Sequence, residues 1–182
     1  PRILTAVEPL EGKGEKTGTP DEIRAFVRKQ KAAGADLIKI FASESIRKGG
    51  GMTLSQEQLN AACDEANKIG IRTLVHAYKD AVRAASLAGC TEVEHGTMAT
   101  DDDLKVLAQH GTYLDPQAGL VIENYMANKN RFLGTEGYTE EGFAAMEKAV
   151  ELDHDIVRRA VKTPGLKAVF GTDAVAGAHG RN

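Results

Sequence analysis

The stretch that decides the fold runs from residue 70 to residue 96 and reads GIRTLVHAYKDAVRAASLAGCTEVEHG. It begins with a glycine and a strand-like apolar run that ends at His76. A short alanine-rich helix from Asp80 to Ala88 follows, and the order of glycine, strand and histidine then repeats at His95. A strand, a helix and a second strand in such close succession predict a right-handed βαβ unit with two parallel strands.

The same order of helix, glycine and strand extends in both directions from this stretch. Helices are predicted between residues 19 and 34, 53 and 70, 80 and 88, 100 and 110, and 141 and 162. Two of them begin with capping boxes, in which Thr19 is followed by Glu22 and Thr53 by Gln56. Strands are predicted at residues 2–7, 36–41, 72–76, 92–95, 112–115 and 167–170.

Six strands that alternate with five helices predict an α/β fold with a parallel sheet. A complete (β/α)8 TIM barrel has about 250 residues, so the 182 residues of this chain would form a partial barrel. A doubly wound sheet is the alternative, and the alternation alone does not distinguish the two. Residues 117–140 interrupt the rhythm. A connection of this length is typical of a lid or binding loop, or else of a disordered insert, and its apolar content favours the lid.

The composition is that of an ordinary globular protein and points away from two classes of partner. The net charge is −3, with 42% apolar and 27% charged residues, so nothing favours binding to nucleic acid or to an anionic membrane. No stretch approaches the roughly 20 apolar residues of a membrane span. Cys63 and Cys90 both lie on apolar faces and are expected to be small buried hydrophobes rather than a disulfide framework.

Neither end of the sequence has the pattern of a natural terminus. The chain starts at Pro1 without a methionine and stops shortly after a strand-like run. We therefore expect an internal piece of a longer protein, in which no targeting signal can be recognised. The cytoplasm is the default expectation for its location.

Four ionisable residues lie within or directly after predicted strands. Lys39 lies inside an apolar run, His76 and His95 each end a strand, and Asp173 follows the last strand. Because the carboxyl ends of parallel strands share one edge, these side chains should converge on one mouth. Two imidazoles and a carboxylate are ordinary ligands of zinc, which lowers the pKa of a bound water to about 7 at an open coordination position.

Each of these residues, taken alone, also has a structural explanation. A single histidine at a strand end is more often hydrogen-bonded structure than a ligand. Lys39 could pair with a carboxylate such as Glu94, and Asp173 could cap a following helix. The set of four on separate strands is more typical of a site. The sequence has no Rossmann or P-loop glycine pattern, no Gly-x-Ser-x-Gly and no His-Glu-x-x-His.

Four short motifs, in their order along the chain, resemble the metal-dependent amidohydrolase superfamily. They match barrel strands four, five, six and eight and read Ile38-Lys39-Ile40, Val75-His76-Ala77, Glu94-His95-Gly96 and Gly171-Thr172-Asp173. The branch that they resemble most contains imidazolonepropionase-like and Xaa-Pro dipeptidase-like (prolidase-type) enzymes. The resemblance covers essentially the whole chain and implies strands three to eight of a (β/α)8 TIM barrel.

The resemblance implies a role for each matched residue. Lys39 would react with carbon dioxide to form a carbamate that bridges two divalent metal ions, with zinc as the first expectation. Burial favours this reaction because it lowers the pKa of a lysine and the reaction needs a neutral amine. His76 and His95 would be ligands of the second metal. Asp173 would be a ligand of the first metal and would take a proton from the bridging hydroxide.

Two further residues are candidates for contact with the substrate. Tyr78, two residues after His76, matches a position that contacts the substrate carboxylate in dipeptidase-like members. An exposed tyrosine without a role is the alternative. His179, in the glycine-rich stretch after Asp173, could reach the mouth and is the weaker candidate.

The implied activity is hydrolysis of an amide bond, in a dipeptide or an N-acyl amino acid, by a hydroxide that bridges the metals. Two alternatives stay open. One is a cyclic amidase or deaminase of the same superfamily, and the other is a non-catalytic barrel fragment whose exposed sheet edge favours homo-oligomers. The His-x-His pair that the family carries on strand one is absent here, so the chain is expected to hold only part of the metal site.

Overall fold

The computed structural model describes residues 2–135 and 137–174. Within them, one parallel sheet has the strands β1 (Leu10–Glu11), β2 (Leu37–Phe41), β3 (Arg72–Ala77), β4 (Glu92–His95), β5 (Tyr113–Asp115) and β6 (Lys167–Ala168). Each strand pairs with the next one along the chain, in the order β1-β2-β3-β4-β5-β6. A doubly wound sheet reverses its order at a switch point, so this unbroken order excludes that alternative and agrees with a barrel.

Helices connect the strands. They are α1 (Pro20–Ala32), α2 (Gln56–Lys68), α3 (Asp80–Leu87), α4 (Asp101–His110), α5 (Leu120–Ala127), α6 (Lys129–Phe132) and α7 (Glu140–Ala160). The sequence predicts five of these, all except α5 and α6. The predicted cap of α1 is confirmed, because the Thr19 backbone N–H donates to the Glu22 carboxylate (2.7 Å) and the Glu22 N–H donates to the Thr19 hydroxyl.

The two faces of the sheet have different chemistry, and the strand register separates them. Ile40 of β2, Val75 of β3 and Val93 of β4 are cross-strand neighbours and are fully buried in the main core. Successive side chains on a strand point to opposite faces. The opposite face therefore carries Lys39 and His76, with Glu94 directly beside His76 in the register.

The predicted strand at residues 2–7 is wrong, and the first strand lies further along the chain. Residues 2–7 form no strand, and Ile3 is 89% exposed. The Thr5 carbonyl accepts a hydrogen bond from the Asp36 N–H (2.9 Å), so this segment lies beside the start of β2 without forming a ladder. Leu10 pairs with Ile40 instead, because its side chain is buried in the core and those of residues 3 and 4 are not.

The second capping box lies two residues later than predicted. Ser55 caps α2, and its partner three residues on is Gln58. Thr53 is occupied elsewhere, since its N–H donates to the Ala42 carbonyl (2.9 Å) and its hydroxyl to the Phe41 carbonyl (3.3 Å). Thr53 thus links the segment that precedes α2 to the end of β2.

The last strand is shorter than predicted. The sequence predicts a strand over residues 167–170, but β6 ends at Ala168, and Phe170 is 83% exposed. The Val169 N–H still donates to the Leu114 carbonyl (2.9 Å). The chain therefore leaves the sheet here and turns toward the mouth.

Residues 117–135 and 137–140 are folded rather than an open loop. They contain a short 3-10 turn at Gln117–Gly119, then α5 and α6. Val121 and Ile122 of α5 pack with Phe143 and Met146 of α7 in a second, smaller core. The segment lies over the carboxyl ends of the strands, and its function as a lid stays a prediction.

The prediction for the cysteines is wrong in one respect. Both are buried as expected, but Cys63 of α2 and Cys90 before β4 form a disulfide, with their Cα atoms 5.0 Å apart. The reason is the packing of α2 on β3, which places the Cys63 sulfur 3.9 Å from the Thr73 hydroxyl and next to the entry into β4. A sequence without its tertiary packing does not show that these two positions adjoin.

Among residues 2–135 and 137–174, every helix is too short or too polar to span a bilayer.

Candidate active site

Four of the predicted residues line one cavity at the carboxyl ends of the strands. Lys39, His76, His95 and Asp173 all border this cavity of about 320 Å³. His95 (φ +68°) and Asp173 (φ +44°) have left-handed backbone conformations, which are uncommon outside glycine and cluster at active sites. The structure therefore brings the four side chains together, and the role of each stays a prediction.

The imidazoles of His76 and His95 are in direct contact. The Nδ1 atom of His76 lies 2.9 Å from the Nε2 atom of His95, and the ring planes are nearly perpendicular. Burial lowers the pKa of His76 to about 4 and holds the pKa of His95 well below its ordinary value, and the Lys39 charge acts in the same direction. Both rings are thus neutral near pH 7, which is the form that binds a metal ion.

Lys39 is ion-paired with Glu94. The sequence had left open that Lys39 pairs with a carboxylate such as Glu94, and the structure contains this pair. Burial lowers the pKa of Lys39 to about 8, although the carboxylates of Asp173, Glu92 and Asp115 act against that shift. About a tenth of the amine is then neutral at pH 7.

The segment that leads to Asp173 contacts Asp115 through Gly171. The Gly171 N–H donates to the Asp115 carboxylate, and a Cβ atom at position 171 would overlap that carboxylate. Burial raises the pKa of Asp173 above its ordinary value, with Lys39 opposing and Asp115 adding to the shift. A helix that Asp173 could cap would lie beyond residue 174, outside the described residues.

Tyr78 is buried in the wall of the cavity, so the alternative of an exposed tyrosine is wrong. Its side chain is only 4% exposed, and its ring stacks on His95 with centroids 4.9 Å apart and meets His76 edge-on. The Tyr78 N–H donates to the Ser43 hydroxyl (3.1 Å), which fixes the backbone after β3. Burial raises the pKa of Tyr78, so its hydroxyl stays protonated. The other substrate candidate, His179, lies outside the described residues.

Sequence reasoning missed part of the wall of the cavity. Arg47 comes from the turn after β2, and its guanidinium lies 4.0 Å from the ring centroid of Tyr138. Tyr125 and Met146 complete this wall, with Val121 and Ile122. The apolar content of residues 117–140 was a signal for part of it, but no pattern in the sequence links Arg47 to the site.

The described residues fit part of a metal site. Two neutral imidazoles in contact, with a carboxylate and a lysine in the same cavity, have the donor chemistry of a zinc-type centre. Within residues 2–135 and 137–174, however, no three His, Cys, Asp or Glu side chains are grouped closely enough to hold an ion. The described residues therefore have the kinds of donor atom that a metal ion needs, and among them His76 and His95 already lie next to each other.

Comparison with known proteins decides the family. Residues 1–182 match the family model described as the Amidohydrolase family. The chain belongs to the amidohydrolase family. The resemblance seen in the four sequence motifs is thereby confirmed.

Individual relatives of this amidohydrolase agree with that assignment. Ochratoxinase from Aspergillus niger is 27% identical over 168 residues, which are 86% of this chain and 32% of the relative. A crystal structure of a Xaa-Pro dipeptidase with bound methionine in the active site is 27% identical with a TM-score of 0.72, over 86% of this chain and 39% of that one.

A solved amidohydrolase is also 27% identical, with a TM-score of 0.75 over 88% of this chain and 39% of that one. The chain thus spans about a third of the length of the curated relatives it matches. Its six consecutive parallel strands and this partial coverage confirm a partial (β/α)8 TIM barrel.

Proposed function

We propose that the protein hydrolyses the C–N bond of an amide, in a dipeptide or an N-acyl amino acid. The observation that carries this proposal is the contact between the neutral imidazoles of His76 and His95, in a cavity that Lys39 and Asp173 also line. Buried neutral imidazoles beside a carboxylate are the side chains with which hydrolases hold a catalytic metal.

We further propose that two divalent metal ions, with zinc as the first candidate, bind among these four side chains. His76 and His95 would hold one ion, Asp173 would hold the other, and Lys39 would bridge them as its carbamate. When bound, the metals would polarise the amide carbonyl and make a water molecule acidic enough to ionise near neutral pH.

The environment of Lys39 favours the carbamate. The reaction joins the neutral amine to carbon dioxide and releases one proton, and a pKa of about 8 leaves part of the amine neutral at physiological pH. Carbamylation would also break the ion pair with Glu94, because a negative carbamate repels that carboxylate. The Lys39–Glu94 pair thus describes the state before modification.

Two residues of the chain would act on protons and on the substrate. Asp173 would take the proton released during attack on the carbonyl and pass it to the amine nitrogen that leaves. Its raised pKa, caused mainly by burial, helps it hold that proton between the two steps. The protonated Tyr78 hydroxyl would donate a hydrogen bond to the carboxylate of the substrate.

The relatives support the choice of linear, amino-acid-derived amides. A Xaa-Pro dipeptidase acts on a dipeptide by its name, and its crystal structure holds methionine, an amino acid with an apolar side chain, in the active site. The cavity of this chain has an apolar wall of matching character.

The full natural protein provides the test. We expect it to hydrolyse dipeptides or N-acetyl amino acids, to lose this activity on dialysis against a chelator, and to regain it with zinc. Cleavage of a cyclic amide such as hydantoin, but of no linear amide, would replace the proposal with the cyclic amidase. Failure of the metal-loaded protein to cleave either class would leave the non-catalytic barrel.

A further inference from the structure

A cation that has no acidic partner among the described residues lines the same cavity as the histidines. The guanidinium of Arg47 stacks on Tyr138 at 4.0 Å from the ring centroid. Among residues 2–135 and 137–174, no carboxylate lies within ion-pair distance of it, although Arg47 itself is only partly exposed. An arginine fixed on an aromatic face, with its charge not neutralised by the protein, is suited to bind an anionic group of a ligand.

Arg47 borders the same space as the candidate chemistry. It lines the cavity together with Lys39, His76 and His95. Ile46, next to Arg47 in the chain, packs in the same cluster as Tyr78, and Tyr78 contacts both imidazoles. The cation therefore lies in the wall of the cavity that also holds the two histidines.

A second polar group on the same wall has no partner. The Ser45 hydroxyl oxygen is buried, lines the cavity, and makes no hydrogen bond within the described part of the chain. A buried hydroxyl without a partner costs free energy. A ligand oxygen beside Arg47 would remove that cost, since Ser45 lies only two positions before Arg47 in the same turn.

The surface next to these two donors is apolar. Ile46, Val121, Ile122 and Met146 line the cavity beside Arg47. The two carboxylates that line the cavity are not ion-paired with Arg47. Glu94 pairs with Lys39, and Asp173 follows β6. The cavity lining thus combines a cationic and apolar part, around Arg47, with the proposed metal ligands His76, His95 and Asp173.

We infer that Arg47, assisted by Ser45, binds the free carboxylate of the substrate together with the Tyr78 hydroxyl, and that the apolar wall receives the side chain next to it. The substrate class is then N-acyl amino acids, including dipeptides, with an apolar C-terminal residue. This inference rests on the proposed function, whose scissile amide would lie between Arg47 and the histidines. Amides that lack a carboxylate, neutral rings among them, would be poor ligands.

The test compares two probes that differ only in the carboxylate, N-acetyl-L-leucine and N-acetyl-L-leucinamide. Isothermal titration calorimetry on the full natural protein should give at least about tenfold tighter binding of the acid. Arg47→Met, which keeps the length and the packing on Tyr138, should reduce that preference to the part that the Tyr78 hydroxyl supplies. Lys48→Met is the matched control, because Lys48 is exposed and its one ion pair among the described residues is with Glu44. It should bind like the wild type.

The outcomes separate this inference from the proposed function. Equal binding of the acid and the amide by the wild type overturns the inference without needing any variant, and so does an acid preference that is undiminished in Arg47→Met. Arg47-dependent preference without cleavage of either probe supports the carboxylate site and contradicts the hydrolase. Cleavage of both probes with equal kcat/KM supports the hydrolase and contradicts the role of Arg47.

Discussion

The Nδ1 atom of His76 and the Nε2 atom of His95 lie 2.9 Å apart, across the neighbouring strands β3 and β4. At this distance one ring donates its proton to the other, so each imidazole fixes the orientation of its neighbour. Tyr78 lies against both rings. The pair is therefore held rigidly before any ligand arrives.

Removal of one proposed metal ligand should abolish activity without unfolding the protein. We expect His76→Ala and Asp173→Ala each to lower kcat by several orders of magnitude in the full protein, because each removes a proposed metal ligand. Metal content measured by mass spectrometry should fall together with kcat. His110→Ala is the control, since His110 lies exposed at the end of α4. Rates near wild type in His76→Ala or Asp173→Ala would contradict the assignment.

Substitution of Tyr78 should act on substrate binding. Tyr78→Phe keeps the ring that stacks on His95 and removes only the hydroxyl. We expect a higher KM for dipeptides, by about tenfold, with little change in kcat. Hydrolysis of an uncharged cyclic amide, if present, should be unaffected. An equal rise in KM for both substrate types would assign Tyr78 to general packing.

A methyl group at position 171 should disturb the site through Asp115. The Cβ atom of Gly171→Ala would overlap the Asp115 carboxylate, which accepts the Gly171 N–H. Relief of that overlap would move the segment that carries Asp173. We expect a large loss of kcat and a loss of about 1–3 kcal/mol in the free energy of unfolding.

Gly51→Ala is the matched control for that substitution. A Cβ atom at position 51 has no neighbour within 4 Å, and the backbone there is not left-handed. If both variants have the same kcat, Asp115 does not position Asp173.

Stability should depend on pH through Asp153, a buried residue of α7. Asp153 accepts a hydrogen bond from the Thr97 hydroxyl, and burial raises its pKa to about 6. The folded state therefore binds this proton more tightly than the unfolded state does. The contribution to stability is complete below about pH 4 and is lost as the pH rises through 6, with a size of about 2–3 kcal/mol.

Asp153→Asn removes this titration and keeps the shape of the side chain. Urea unfolding of both proteins at several pH values measures the effect. The free energy of unfolding of the wild type, minus that of the variant, should fall by this amount between pH 4 and pH 7. A difference that stays constant with pH would show that Asp153 is ionised throughout.

The disulfide between Cys63 and Cys90 should contribute to stability. It closes a loop with a sequence separation of 27, for which chain entropy gives about 3.5 kcal/mol. We expect reduction, or the double substitution of both cysteines by alanine, to lower the free energy of unfolding by that amount. A thiol assay on the denatured, unreduced protein should find no free thiol from this pair.

The same assay bears on the compartment. Two free thiols in protein prepared without reductant would contradict the bond. A bonded pair in protein taken directly from cells would argue against the cytoplasm, where disulfides are rare.

The fold was largely predictable because its signals are local. A Thr–Glu capping box starts α1, a glycine such as Gly111 ends α4 in the left-handed conformation, and an apolar strand follows. Each of these acts within a few residues of the chain. Errors arose where a long-range contact decided the structure, as for the strand at Leu10, which is defined by its pairing with Ile40.

The candidate site was predictable to the extent that it depends on strand ends. Lys39, His76 and His95 follow from the rule that parallel strands end at one edge. Arg47 did not follow, because its position depends on Tyr138, which a folded segment brings to it from far along the chain. The bond between Cys63 and Cys90 escaped prediction for the same reason.

The consecutive strand order has a consequence for how the molecule forms. Every strand hydrogen-bonds to the one that follows it in the chain, so each new strand and helix can dock on a neighbour that already exists, over a short loop. Growth of the sheet then resembles the extension of a repeat protein, and it can proceed during synthesis from the amino end onward. Asp173 enters last, after β6, so the histidine pair is assembled before the residue proposed to move the proton arrives.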